Sequence, residues 1–185
     1  MGHLYLVRHG ATEWSESGRH TSVTDLPLLP AGEQAARALA PRLAGHDFAV
    51  VLTSPRRRAR HTAELAGFPD AVVDEDLVEW CYGDYEGVTT EEIHRTDPGW
   101  TIWTGSTPGG ETAAEVATRL DRVATAARAR PGDTLVFAHG HCLRALAARW
   151  LGLPVAEGRI FGLDTGTLSV LADDRGQPIV QRWNS

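Results

Sequence analysis

Apolar stretches of two kinds alternate along the chain. Short runs at residues 4–8 (LYLVR), 48–53 (FAVVLT), 71–73, 134–138 (TLVFA), 167–172 and 178–183 have the length and composition of strands. Between them, apolar positions recur every three to four residues over about 30–44, 54–67, 111–130 and 140–151, the period of amphipathic helices. Val116, Leu120, Val123 and Ala127 share one helical face, as do Leu143, Leu146, Ala147 and Trp150. Pro41 falls late in the first helical pattern and is expected to kink or end it. Ser54 is expected to cap the second helix, with Pro55 in its first turn. This alternation predicts an α/β fold, a three-layer α/β/α sandwich with a mostly parallel central sheet. DDRGQ at 173–177 is a hairpin signal between the last two strands, so one antiparallel edge strand is expected.

Residues 84–110 break the pattern. They are rich in Gly, Pro, Thr and Trp, with one short helix expected from Thr89, where Thr89 and Glu92 fit a capping box. The expectation is a short capping segment over one end of the sheet, within a single domain spanning 1–185.

Composition narrows the partners. A formal net charge of −6 argues against a nucleic-acid surface, so an anion site has to be a local concentration of cations. No apolar run reaches membrane-spanning length, and His3 leads straight into the first strand without room for a signal peptide. Cys81 and Cys142 lack metal-like spacing. A cytoplasmic protein with reduced thiols, no membrane partner and no nucleic-acid partner is expected; a homodimer is left open.

Three strand ends carry the chemistry. The first stops at Arg8-His9-Gly10, the second runs into SPRRRARHTA with its cluster at Arg56–Arg60, and the later strand TLVFA stops at His139-Gly140-His141. Ligands of open parallel sheets bind beyond the carboxyl ends of the strands, where helix N-termini also point. These residues therefore converge on one anion-attracting crevice, and phosphate is the obvious guest. A lone histidine after a strand or an arginine run on a helix is usually an ordinary structural feature. Two cationic strand ends facing one crevice are harder to assign to packing, because buried cations need an anion or carboxylate.

LVRHGATEW, SPRRRARHTA, LVEWCYGDYEG, PGGET and AHGHCLRAL, in this order over residues 4–146, resemble the histidine phosphatase superfamily, also called phosphoglycerate mutase-like. The resemblance implies that His9 is a transiently phosphorylated nucleophile. It implies that Arg8, Arg58 and His139 bind the phosphoryl oxygens and that Glu79 is the proton donor. Elementary chemistry agrees. A neutral imidazole can attack phosphorus, two arginines and a charged His139 can balance the transferring oxygens, and a sheltered Glu79 can protonate the leaving alkoxide. Gly10 is expected to let the backbone approach the anion. No metal and no other cofactor is expected, since the arginines supply the positive charge and no HExxH-like spacing occurs.

The chain departs from the family at Ala11, where Glu or Gln is frequent, and at Ser15, where mutase-like members commonly have Asn. Ser15 is expected to donate to phosphate still. Arg56 stands where leucine is usual and either faces solvent or meets a second anionic group. His20, Thr21, Ser22, Gly140 and His141 are candidates for contacting the substrate. Trp14, Trp80, Tyr82, Trp100 and Trp103 lie in segments expected near the mouth, where aromatics either pack or face a ring.

The reading is a metal-independent phosphomonoesterase acting through phosphohistidine on a small phosphorylated metabolite, either a sugar phosphate or the range of a broad acid phosphatase. The alternatives are a cofactor-dependent phosphoglycerate mutase and a non-catalytic phospho-ligand-binding module. The short 84–110 segment, the stop at Ser185 and Ser15 weigh against the mutase; a binding module could lose nucleophile or acid, and here all five positions are filled.

Overall fold

A computed structural model describes residues 2–185. Six strands form one sheet in the order β3-β2-β4-β1-β5-β6. They are β1 (Leu4–Arg8), β2 (Phe48–Thr53), β3 (Val72–Val73), β4 (Asp133–Ala138), β5 (Leu168–Asp174) and β6 (Gln177–Arg182). β1, β2, β3 and β4 pair in parallel. β5 runs antiparallel to both β1 and β6, so the reversed strand lies one in from the edge and the hairpin partner β6 forms the edge. The hairpin turns at Arg175 and Gly176, with φ of 56° and 84°. Two left-handed residues in succession match the right-handed twist of the flanking strands.

The described residues form six α-helices, α1 (Glu13–Ser17), α2 (Pro30–Leu43), α3 (Arg57–Leu65), α4 (Thr90–His94), α5 (Ala113–Ala129) and α6 (Gly140–Trp150), of which α2, α3, α5 and α6 flank the sheet. Strand alternation assigns them to layers. Val7, Leu135 and Phe137 pack with Leu39 and Leu43 of α2 and Ala63 of α3. Leu4, Leu6, Val136 and Ala138 face the other way, onto Val116 and Leu120 of α5 and Leu143 and Leu146 of α6. The result is a three-layer α/β/α sandwich.

Three local expectations change. The helix carrying Pro41 continues to Leu43, because proline in the last turn deletes few hydrogen bonds before the helix ends. Helix α3 begins at Arg57 with Arg56 as N-cap and no side-chain cap, so Ser54 is not its cap. The five-residue α1 was not expected; a capping box between Thr12 and Ser15 stabilises it.

Within 84–110, α4 starts at the Thr89–Glu92 capping box as expected. Ile93, Trp100, Ile102 and Trp103 are buried in the α5/α6 core.

Candidate active site

Beyond the ends of β1 and β4 lies a cavity of about 260 Å³. Its walls include Arg8, His9, Glu79, His20, Tyr82 and His141. Parallel pairing of Arg8 with Ala138 sets the two strand ends side by side, so the residues that follow each strand meet here.

His9 is 5% exposed, and its Nδ1 lies 2.7 Å from the carbonyl of Gly10. A carbonyl only accepts, so Nδ1 carries the proton and Nε2 keeps its lone pair. Burial, then the charges of Arg58 and Arg8, hold the His9 pKa well below 6.5, which makes the neutral ring the resident form. Arg8 donates Nη1–H to the carbonyl of Leu163, while its buried Nε has no protein partner. Its Nη2, also without a protein partner but not sealed from solvent, is the unspent donor that the arginine brings to the cavity. Gly140 makes room for it: a Cβ there would sit 3.3 Å from the guanidinium carbon of Arg8.

Glu79 follows a 3₁₀ turn at Glu75–Leu77 and is 6% exposed. Its Oε1 accepts from the N–H groups of Trp80 at 2.9 Å and Cys142 at 2.7 Å, and Oε2 accepts from His141 N–H at 3.0 Å. Two of these donors belong to the first turn of α6, whose dipole also favours a carboxylate. Oε2 retains capacity for one more hydrogen bond.

Arg58 and His139 are fully buried behind His9, and the two imidazoles lie 5.2 Å apart between centroids. Arg58 donates from Nε to Nδ1 of His139 at 3.2 Å, from Nη1 to the Thr24 carbonyl at 3.0 Å and from Nη2 to the Thr21 carbonyl at 3.1 Å. With Nδ1 accepting, the His139 proton sits on Nε2 and is donated to Ser54 Oγ at 2.7 Å. Burial and the adjacent Arg58 push the pKa of this ring well below 6.5. The expected charged His139 is thus corrected to a neutral one, because it is sealed from water beside a guanidinium. The hydroxyl of Ser54, read from sequence as a helix cap, serves this histidine.

The candidate substrate contacts divide. His20, Thr21, Gly140 and His141 line the cavity. Ser15 lines it too, but its hydroxyl donates to the Thr12 carbonyl at 2.9 Å and accepts from Thr12 N–H at 2.8 Å. Its proton is spent on capping α1 instead of being free for phosphate. Ser22 is buried and gives its hydroxyl proton to the carboxylate of Glu86. Gly10 serves packing: a Cβ would meet the Gly32 carbonyl at 2.3 Å, so what approaches closely is α2. Trp80, Trp100 and Trp103 are 1%, 2% and 9% exposed, which decides for packing over ring binding. Arg56 is partly buried, with its Nε lacking a partner.

Arg144 and Thr12 also line the cavity and were not picked out from sequence. The signal for Arg144 was available, since it lies three residues after His141 on one helix and so shares its face. Among the described residues, no group of three or more His, Cys, Asp or Glu is placed to hold a metal ion.

The sequence pattern of the histidine phosphatase superfamily (branch 1) matches residues 4–185. The chain belongs to that superfamily. Its acid phosphatase relative from Mycobacterium tuberculosis is 41% identical over 178 residues, covering 94% of this chain and 87% of the relative. Sedoheptulose 1,7-bisphosphatase from Saccharomyces cerevisiae is 41% identical over 185 residues, covering 82% of this chain and 68% of the relative. The solved structure of an open-reading-frame product from Mycobacterium tuberculosis superposes with a TM-score of 0.94 at 39% identity, covering 99% of this chain and 97% of that one. Membership agrees with the motifs read from the sequence, and the superposition agrees with the mixed, mostly parallel sheet.

Proposed function

We propose that this histidine phosphatase is a phosphomonoesterase acting on a small phosphorylated metabolite through a phosphohistidine intermediate. The observation that carries the reading is the tautomer of His9, whose Nδ1–H is held by the Gly10 carbonyl while a neutral Nε2 faces the cavity shared with Arg8 and Glu79. The names of the two curated relatives, an acid phosphatase and a sugar bisphosphatase, support a small phosphate ester as substrate.

In the first displacement the Nε2 lone pair attacks phosphorus, and the bond from phosphorus to the ester oxygen breaks. The substrate enters as its phosphoryl monoanion, its proton passes to Glu79 Oε2, and Glu79 hands that proton to the ester oxygen as the alcohol leaves. The Gly10 carbonyl stabilises the positive ring that results. Arg8 holds the phosphoryl oxygens with its unspent donor, and Arg58 adds positive charge from behind. In the second displacement Glu79 takes a proton from water as the oxygen attacks phosphorus. The N–P bond breaks, and inorganic phosphate departs with His9 restored.

On this reading residues 84–110 belong to the same domain and contribute one rim of the cavity through Thr90. Cys81 and Cys142 are unpaired thiols, which suits a reducing compartment such as the cytoplasm. Among the described residues no helix is long and apolar enough to cross a membrane.

The test joins trapping to turnover. Rapid mixing with a labelled sugar phosphate should leave acid-labile, base-stable phosphate on the wild-type protein and none on His9→Ala, with phosphate release lost in the variant. Steady release by His9→Ala at near wild-type rate would remove His9 as nucleophile. Isomerisation of 3-phosphoglycerate many times faster than phosphate release would replace hydrolysis by mutase chemistry.

A further inference from the structure

Two histidines that take no part in the displacement steps stand on the cavity wall with fixed and opposite polarity. His20 Nδ1 lies 2.7 Å from the Val88 carbonyl, so Nδ1 carries the proton and Nε2 is an acceptor. The same carbonyl accepts the His20 backbone N–H at 3.0 Å, and the His20 carbonyl accepts Gly87 N–H at 2.8 Å, which fixes the ring from its own backbone. His141 is the reverse case. Its Nδ1 is 2.6 Å from the hydroxyl of Tyr82, which has no other hydrogen-bond partner. Burial keeps the Tyr82 hydroxyl protonated, its pKa well above 10, so the phenol donates and Nδ1 accepts. The proton of His141 therefore sits on Nε2. Neither Nε2 has a protein partner, and neither is sealed from solvent.

The rings lie 6.4 Å apart between centroids and 28° from parallel, each backed by a tryptophan: Trp100 at 5.3 Å from His20 and Trp103 at 5.2 Å from His141. Both side chains line the cavity that holds His9 and Glu79. The nearby cations are partly engaged elsewhere. Arg19 donates to the Gly87 carbonyl at 2.6 Å, and Arg144 lies over the Trp103 ring with Nε on the Gly158 carbonyl at 3.1 Å.

From this geometry we infer that His20 and His141 form an acceptor–donor pair that reads hydroxyl groups on the organic part of the substrate. A hydroxyl, or two adjacent hydroxyls of a polyol, can donate to His20 Nε2 and accept from His141 Nε2–H. A carboxylate or a second phosphate can only accept, so it meets the His20 lone pair unfavourably. An alkyl group leaves both ring atoms unpaired, which is where selectivity arises. The inference takes the phosphatase reading for the position of the reacting phosphate, but the polarity of the pair does not depend on turnover.

Binding of non-hydrolysable phosphonates tests it. Calorimetry compares a five-carbon alkylphosphonate with its polyhydroxylated and terminal-carboxylate counterparts. The wild-type protein should bind the polyol tighter than the alkyl compound by about tenfold or more, one tenfold step being about 1.4 kcal/mol. His20→Phe and His141→Phe should each cut that ratio several-fold. Tyr82→Phe, which frees the His141 tautomer while leaving both rings, should cut it too and decides the matter should either histidine variant fail to fold. A wild-type ratio near one, tighter binding of the carboxylate than of the polyol, or variants with an unaltered ratio would each overturn the pair. Phosphate release from the matching esters is measured alongside. Absent turnover with the binding ratio intact would sink the phosphatase reading and leave this inference standing.

Discussion

His9 and Glu79 divide the chemistry according to what the backbone around them offers. The Gly10 carbonyl fixes the imidazole as a nucleophile, and the N-terminal turn of α6 receives the carboxylate. This division makes a prediction about Glu79→Gln. An amide cannot protonate a leaving oxygen, so the variant should lose far more rate on a sugar phosphate than on an aryl phosphate, whose leaving group needs little protonation. The gap should be about a hundredfold or more, within the range that a positioned acid contributes. Equal losses on both esters, with dephosphorylation shown not to limit either rate, would argue against Glu79 as the acid.

At the scale of elements, the loop after α1 is held by a carboxylate distant in sequence. Glu86 accepts the N–H groups of Ser22 at 2.9 Å and Thr24 at 2.9 Å, together with the Ser22 hydroxyl. The carbonyls of Thr21 and Thr24 in the same loop receive Arg58. Glu86 thus positions Arg58 through a loop, without touching it. Glu86→Ala should weaken inhibition by inorganic phosphate and raise KM by about tenfold, about 1.4 kcal/mol, with a smaller change in kcat. Glu86→Gln, which keeps one acceptor oxygen, should fall between. A uniform drop in kcat with KM unchanged in both variants would indicate that the loop does not aim the arginine. A second tie of this kind joins Glu111 to Arg119 at 2.8 Å and to the N–H of Cys81 at 2.9 Å, anchoring the segment that bears Glu79.

The whole molecule carries a cost for its site. His9 and His139 are buried and His141 is half-buried, and desolvation leads the causes that hold each pKa well below 6.5. In the unfolded chain each would titrate near 6.5. Between 6.5 and the depressed folded values the unfolded state binds more protons, so stability is full above pH 6.5 and falls as the pH drops below it. Three such groups give a limiting slope of about 4 kcal/mol per pH unit. Glu86 adds a loss at lower pH. Burial opposes its charge, but hydrogen bonds from Ser22 and Thr24 outweigh that and hold its pKa below 4.5, so its contribution disappears as the pH falls through that lowered value. Denaturant unfolding from pH 7 to pH 5 should show the steep fall, and His141→Phe should flatten it. Constant stability over that range would mean that the three rings are not held neutral.

Sequence alone determined the main elements and pointed to the candidate reactants. Apolar periodicity placed the strands and long helices, because burial on one or both faces forces that pattern, and the three polar strand ends pointed Arg8, His9, the Arg56–Arg60 cluster and His139 toward one crevice, with Arg58 and Glu79 singled out only by the family resemblance; the fold sets Arg8, His9 and Glu79 on the cavity wall and buries Arg58 and His139. It also marked β5–β6 as a hairpin from Asp173–Gln177, since Arg-Gly with positive φ suits a tight turn. It did not reveal α1, which is too short for periodicity to register, and beyond the local Thr89–Glu92 capping box it named no partner of a polar side chain. Ser54 looks like a cap until β2 and β4 set it against His139, and Ser15 looks like a phosphate donor until the Thr12 carbonyl claims its proton. Protonation states were likewise beyond reach: a histidine is neutral or charged according to what surrounds it in space. Tautomers follow from carbonyls and hydroxyls as remote in sequence as Val88 from His20 and Tyr82 from His141. Residue types and local patterns are properties of the chain, whereas hydrogen-bond partners, desolvation and charge proximity exist only once the chain has folded.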